Sequence, residues 1–166
     1  MTTSLMKNIH ISLILLLAVT LASCGFQLKQ SAAIPASFGP VSIAGINQYS
    51  DLYKTIKTAL KQSDIQISES GNHHISISNV TKDRRVLSVD TFGKVAEYEL
   101  FKSFSFSVSD NAGNKVIESQ TLATQVSYTV SSTDILAKNQ EEDDLNRRME
   151  EKLVDQMLRY ISNKIK

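Results

Sequence analysis

Few side chains in this sequence are spaced for catalysis. His73-His74 is the only adjacent histidine pair. Neighbours along a strand point to opposite faces, so the two rings cannot close on one ion, and no metal site is expected. Glu97 and Glu99 share a strand parity and lie about 7 Å apart along it. That spacing suits an acid/base pair, but a solvated strand face is the plainer reading. The four acids Glu141–Asp144 would spread around a helix, which makes a solvated first turn rather than a cation site. Serine is abundant, yet no Gly-x-Ser-x-Gly elbow and no phosphate loop occur. No catalytic residue is expected, and the chain reads as a non-enzyme without a bound cofactor. The basic residues are more informative. Lys82, Arg84, Arg85 and Lys94 flank the turn before a long hairpin, and Lys138 stands at the entry to the last helix. Brought together they would form a positive rim able to hold phosphate by charge-assisted hydrogen bonds. Left apart they are a charged edge that discourages strand addition.

Cys24, the sole cysteine, carries a different chemistry. Met1–Cys24 reads as an export signal, with Lys7 in a polar start and an apolar run over Ile11–Val19 broken only by Ser12. The run is shorter than the roughly 20 apolar residues a membrane span needs. It closes on Leu21-Ala22-Ser23-Cys24, similar to the bacterial lipobox of an aliphatic residue, two small residues and cysteine. Small residues fit the peptidase site, and the thiol accepts diacylglycerol. Removal of residues 1–23 then exposes the Cys24 amine for N-acylation. Each buried methylene of such an anchor contributes about 0.8 kcal/mol. Gly25 stands where aspartate would retain a lipoprotein at the inner membrane, so the outer membrane is the expected address. Met6-Lys7 also looks like a natural start, which leaves the first codon open between Met1 and Met6.

The remaining chain must fold into something that positions these groups. Formal charge is +1 overall. Residues 1–23 hold one base and no acid, so the rest carries 17 of each. A neutral domain is a poor nucleic-acid binder, and no such partner is expected. With 42% hydrophobic and 21% charged residues the composition is globular. Phe26–Gly39 shows no period, so residues 24–39 are read as a lipidated tether and 40–166 as one domain. Val41–Ile46 alternates like a short strand. Leu52, Ile56, Ala59 and Leu60 form one helical stripe, capped by Ser50 or Asp51. Ile65 and Ile67 make a short strand, Ile75 and Ile77 continue on one face, and Arg84–Asp90 is a polar strand. Tyr98, Leu100, Phe104, Phe106 and Val108 share one parity, interrupted by Lys102, while Glu97, Glu99, Ser103, Ser105 and Ser107 share the other. After the Asp110–Asn114 turn the chain returns with Leu122, Val126, Tyr128 and Val130 in step. Ser131–Thr133 offers caps for a last helix carrying Leu145, Met149, Leu153, Met157 and Ile161. The expected fold is α+β: a two-layer sandwich, with a mixed or antiparallel sheet of about four strands and two helices packed on one face. The other face is rich in serine and threonine and bare.

Three segments resemble one family, the LptE lipopolysaccharide-assembly lipoproteins of Gram-negative bacteria. The first is Cys24 followed by Gly25-Phe26-Gln27-Leu28, similar to the family's Cys-Gly-Phe-x-Leu start. The second is Gly93-Lys94-Val95-Ala96-Glu97-Tyr98-Glu99-Leu100, like its Ala-Glu-Tyr strand entry. The third is Ile135-Leu136-Ala137-Lys138-Asn139 leading through Gln140-Glu141-Glu142 into the terminal helix. The resemblance implies the same helix-on-sheet fold and a role as a plug in the lumen of the outer-membrane β-barrel LptD. There it would assist barrel assembly and help deliver lipopolysaccharide to the outer leaflet. It further implies direct lipopolysaccharide contact through Lys138, with Lys94, Arg84 and Arg85 as spatial substitutes where this chain has Thr91 and Phe92. Phe92 and Phe101 are candidate exposed anchors. The alternative the residues leave open is a periplasm-facing lipoprotein serving as an adaptor for another envelope transport system.

Overall fold

The computed structural model describes residues 34, 35, 38–130 and 135–165, with the backbone alone over 135–138. The elements run β1 (Val41–Ala44), α1 (Asp51–Gln62), β2 (His73–Val89), β3 (Val95–Asp110), β4 (Lys115–Thr129) and α2 (Ile135–Lys164). Four strands form one sheet in the order β1-β2-β3-β4. β1 lies parallel to β2, and the other two pairs are antiparallel. The parallel pair needs a crossover, and α1 supplies it. This is the expected α+β sandwich with a mixed sheet.

Both helices pack on the same face. Leu52, Ile56 and Leu60 of α1 are buried at spacings of four, and Leu153, Met157 and Ile161 of α2 repeat that spacing. They meet Ile75, Ile77, Phe104, Phe106 and Val108 of the sheet in one apolar cluster. Phe104 and Phe106 are both fully enclosed, and burial of side chains of this size contributes about 2–3 kcal/mol each. A second, smaller cluster of Leu100, Tyr128 and Met149 lies further along β3, under the first half of α2. Between the two clusters Lys102 points into the same interface and pairs with Glu150 of α2. A buried ion pair therefore divides the core where the sequence shows one interruption of the apolar row.

α1 begins at Ser50, whose Oγ accepts from the Tyr53 amide at 3.2 Å. It ends before Asp64, which turns the chain at φ +59°. Both long hairpins close with the same five residues in type, Asp-x-x-Gly-x. Asp90 Oδ1 accepts from the amides of Phe92 and Lys94, and Asp110 Oδ1 accepts from those of Ala112 and Asn114. Gly93 and Gly113 sit at φ +75° and +85°, the left-handed position that three-residue hairpin loops require. The two loops lie at opposite ends of the sheet, because His73 pairs with Asp110 and Val89 with Val95.

Four expectations need correction. The strand expected over Ile65–Ile67 reduces to a single bridge from Val41 to Ile67. The two strands expected over 75–82 and 84–90 are one strand, kinked by one extra residue where Asn79 and Val80 together face Phe104, between the Ser78–Ser105 and Thr81–Ser103 pairings. The domain starts earlier than Pro40: Ile34 and Phe38 belong to the core, and the Phe38 ring stacks on His73 at 4.4 Å. An irregular segment carries no period, so its burial was not visible in the sequence. Finally, α2 starts at Ile135, so Glu141–Asp144 follows its first turn, which holds no acid. The expected caps at Ser131–Thr133 lie outside the described residues, as does the lipobox. Among the described residues no helix is long and apolar enough to cross a membrane.

Candidate functional site

The side of the sheet away from the helices is built from short polar side chains. Strand alternation sends Ser103, Ser105, Ser107 and Ser109 of β3 to this face, opposite Thr81, Ser78, Ser76 and His74 of β2. On the β4 side Ser105 faces Thr121 and Glu99 faces Ser127. Ser105 Oγ lies 2.8 Å from Thr121 Oγ1, and Asn79 Nδ2 donates to it at 3.3 Å. These bonds tie Asn79, Ser105 and Thr121 together across three strands. His74 hydrogen-bonds Ser42 on this side, whereas His73 Nδ1 donates to the Phe38 carbonyl at 2.8 Å toward the core. The two histidines thus diverge as strand geometry requires.

The basic candidates do not gather into one rim. Arg84 and Arg85 are consecutive in β2 and leave on opposite sides. Arg84 turns under α2, where Nη1 donates to Glu142 Oε2 at 2.9 Å and the guanidinium stands 4.7 Å above the Tyr98 ring. The Tyr128 hydroxyl donates to the same carboxylate oxygen at 2.7 Å. Burial raises the Glu142 carboxyl, but the hydrogen bonds from Tyr128 and Arg84 outweigh it and leave its pKa lowered. Burial, reinforced by the bond to Glu142, pushes the Tyr128 phenol up to about 12. Arg84 is therefore a strut between sheet and helix. Arg85 lies on the bare face and pairs with Glu99, which is itself buried. Glu97 accepts from Ser88 Oγ at 2.9 Å, so the two glutamates serve separate bonds rather than one acid/base pair.

Lys94 differs from both arginines. It follows the exposed Asp90–Gly93 loop and makes no ion pair among the described residues. Phe92 beside it is 86% exposed, and Val86, Leu87 and Val89 are also open to solvent. An apolar tip edged by one free cation results. The exposed valines and Leu87 were missed in the sequence; the signal was their failure to keep the alternation of the neighbouring strand. Phe101, the other candidate anchor, is half-buried on the polar face. Lys138 lies in the first turn of α2, with its side chain outside the description, and Cys24 lies outside it altogether.

Comparison with known proteins agrees with this geometry. The family model for lipopolysaccharide-assembly LptE matches residues 38–161. The LPS-assembly lipoprotein LptE of Photorhabdus laumondii is 25% identical over 162 residues, covering 94% of this chain and 87% of that one. The LPS-assembly lipoprotein LptE of Pectobacterium atrosepticum is 24% identical over 163 residues, covering 94% and 86%. In the crystal, rare lipoprotein B of Shewanella oneidensis shares the fold with a TM-score of 0.66 at 21% identity, over 75% of this chain and 95% of that one. A lipoprotein B from Nitrosomonas europaea, solved in solution, has a TM-score of 0.64 at 28% identity, over 83% and 90%. The match covers nearly all of the packed domain, and the chain belongs to the LptE family of lipopolysaccharide-assembly lipoproteins.

Proposed function

We propose that this protein is an outer-membrane lipoprotein, anchored by N-acyl and S-diacylglycerol chains on Cys24, that fills the lumen of the LptD β-barrel and helps assemble it. Within that translocon it helps pass lipopolysaccharide to the outer leaflet. The observation that carries this reading is the bare sheet face. A barrel lumen is polar and wet, and a plug must meet it with a surface that is hydrophilic yet fixed in shape. Most side chains on the bare face are short and polar, bonds among Asn79, Ser105 and Thr121 tie β2, β3 and β4 across it, and the long Arg85 side chain is held by Glu99. Lipopolysaccharide contact belongs to the exposed tip and to the start of α2. Lys94 is the free cation at the tip and Phe92 the apolar group beside it, while Lys138 comes in through the family motif. Arg84 and Arg85 stand behind them as candidates: each already pairs with a carboxylate of the domain, while its side chain is 49% and 65% exposed, respectively.

The test is purification of the tagged full-length chain from solubilised outer membranes, with mass spectrometry of its partners and of the Cys24 peptide. A large β-barrel in stoichiometric yield and a triacylated Cys24 are expected. A soluble envelope protein in place of the barrel would favour the adaptor reading. The Lys94→Glu, Lys138→Glu double variant should still co-purify with the barrel while binding lipopolysaccharide more weakly; undiminished binding removes the contact assignment.

A further inference from the structure

β4 closes one side of the sheet, and among the described residues nothing pairs with its outer edge. At every second residue its amide and carbonyl point away from β3, ready for a further strand. An exposed edge is ordinarily guarded, and β2 shows how. β1 covers only His73–Ser76 of it. Beyond them β2 displays Lys82, Asp83, Arg84 and Arg85 and is kinked at Asn79-Val80, two devices that discourage strand addition. β4 has neither over most of its length. From Ser119 to Thr129 it holds no charged residue, no glycine and no proline. Its pairing with β3 runs without a shift from Glu97–Thr129 to Phe106–Gln120.

The side chains along this edge are small or apolar. On the polar face Thr121, Ala123, Gln125 and Ser127 are exposed. On the helix side Leu122, Val126 and Val130 pack against the two core clusters yet stay half-buried, because the sheet ends beside them. Partly covered apolar groups next to unpaired backbone make a surface that one more strand completes.

We infer that β4 pairs antiparallel with β4 of a second copy, about a two-fold axis normal to the sheet at Thr124, joining the two sheets into one. The added strand must be uncharged, with apolar side chains toward the helices and small polar ones away from them. This chain's own edge meets that description. Thr124 is the middle of the uncharged stretch. About it, Leu122 stands opposite Val126 of the second copy, Thr121 opposite Ser127 and Ala123 opposite Gln125. Such aliphatic and hydroxyl pairs stabilise an antiparallel ladder. No charge meets a charge, since Lys115 and Glu118 fall at or past the end of the opposing strand. A two-fold contact closes on itself, and the guarded edge of β2 stops further addition. Residues 24–33 span up to about 35 Å, so acyl chains on Cys24 of both copies can enter one leaflet with the axis along the membrane normal. The pairing goes beyond the proposed function, concerns the chain apart from the barrel, and leaves the polar face open.

The test is analytical sedimentation of the full-length chain, purified free of the barrel in density-matched non-ionic detergent at micromolar concentration. A protein mass of two chains is expected, and a mass of one overturns the inference. Ala123→Lys, at an exposed position, sets two like charges beside the axis. It should return the chain to a single copy with its circular dichroism unchanged. This variant separates strand pairing from two lipid anchors sharing a micelle: a dimer that survives it as well as the parent does overturns the inference. Cysteines report the register. Thr121 and Ser127 lie about 20 Å apart along one strand, too far for a disulfide within one copy, yet face each other across the axis. Under mild oxidation the Thr121→Cys, Ser127→Cys double variant should give linked dimers, and neither single variant should. Linking of a single variant in the same yield as the double overturns the pairing.

Discussion

Glu142 joins three parts of the molecule through one carboxylate: Arg84 of β2, Tyr128 of β4 and its own helix. Its lowered pKa means that it stabilises the fold above the pKa of the unfolded carboxylate. That contribution is lost as pH falls through the lower, folded value. Tyr128 has the opposite sign. Its phenol is raised to about 12, so its contribution is complete below the ordinary value of 10 and disappears as pH climbs through 12. Alkaline titration of tyrosine absorbance, with Tyr128→Phe to assign the signal, should show one phenol ionising near 12. In Glu142→Gln that phenol should ionise earlier, yet still above its ordinary value, because burial, the larger cause, persists. None of this was legible beforehand. The sequence shows Arg84 and Arg85 as neighbours in a basic stretch. Only the register of β2 against β3, which sends one under α2 and the other to Glu99, reveals that both are occupied.

At the scale of elements, the clearest expectations came from periodicity. The alternating row from Tyr98 to Val108 and the stripe of Leu52, Ile56 and Leu60 are buried as their spacing predicts, because one-sided burial leaves a repeating mark. Features without a repeat stayed hidden: the buried Phe38, and the kink at Asn79, which has φ +51° where one extra residue of β2 is fitted opposite Phe104. The turns around Gly93 and at Asp110–Asn114 were readable because turn chemistry is local. Gly93→Ala and Gly113→Ala should each cost about 1–2 kcal/mol in chemical denaturation, the penalty of a side chain in the left-handed region. Nothing lies within 4 Å of the added methyl at either position, so the cost should be similar in both. The Lys102–Glu150 pair tests a different balance. Glu150→Ala strands a buried ammonium and should cost about 3 kcal/mol or more. The Lys102→Met, Glu150→Leu double variant should recover that loss, since an apolar pair of similar volume needs no desolvation. Thermal melting of the three proteins decides it.

For the whole molecule, the layering separates two sides: helices seal the core on one, and short polar side chains dominate the other, which the proposed function turns toward the barrel wall. Ser78→Arg, on the exposed part of that polar side opposite Ser105, should leave melting within about 0.5 kcal/mol of the parent, as surface changes do. The same change should reduce recovery of the barrel on the tagged chain. Family membership was visible in three short segments, whereas this division of labour was visible only as the parity of serines. The split core adds an asymmetry along the sheet. The loop at Asp110–Asn114 sits over the larger apolar cluster, while the loop at Asp90–Lys94 is backed by Leu100, Tyr128 and Met149. Local opening costs least where fewest apolar groups separate. The Phe92 end should therefore breathe without disturbing the other, so that in deuterium exchange the amides of Val95–Leu100 label ahead of those of Phe104–Val108. A chain held rigid at one end and loose at the other can keep its seat while its far end adapts to a passing cargo.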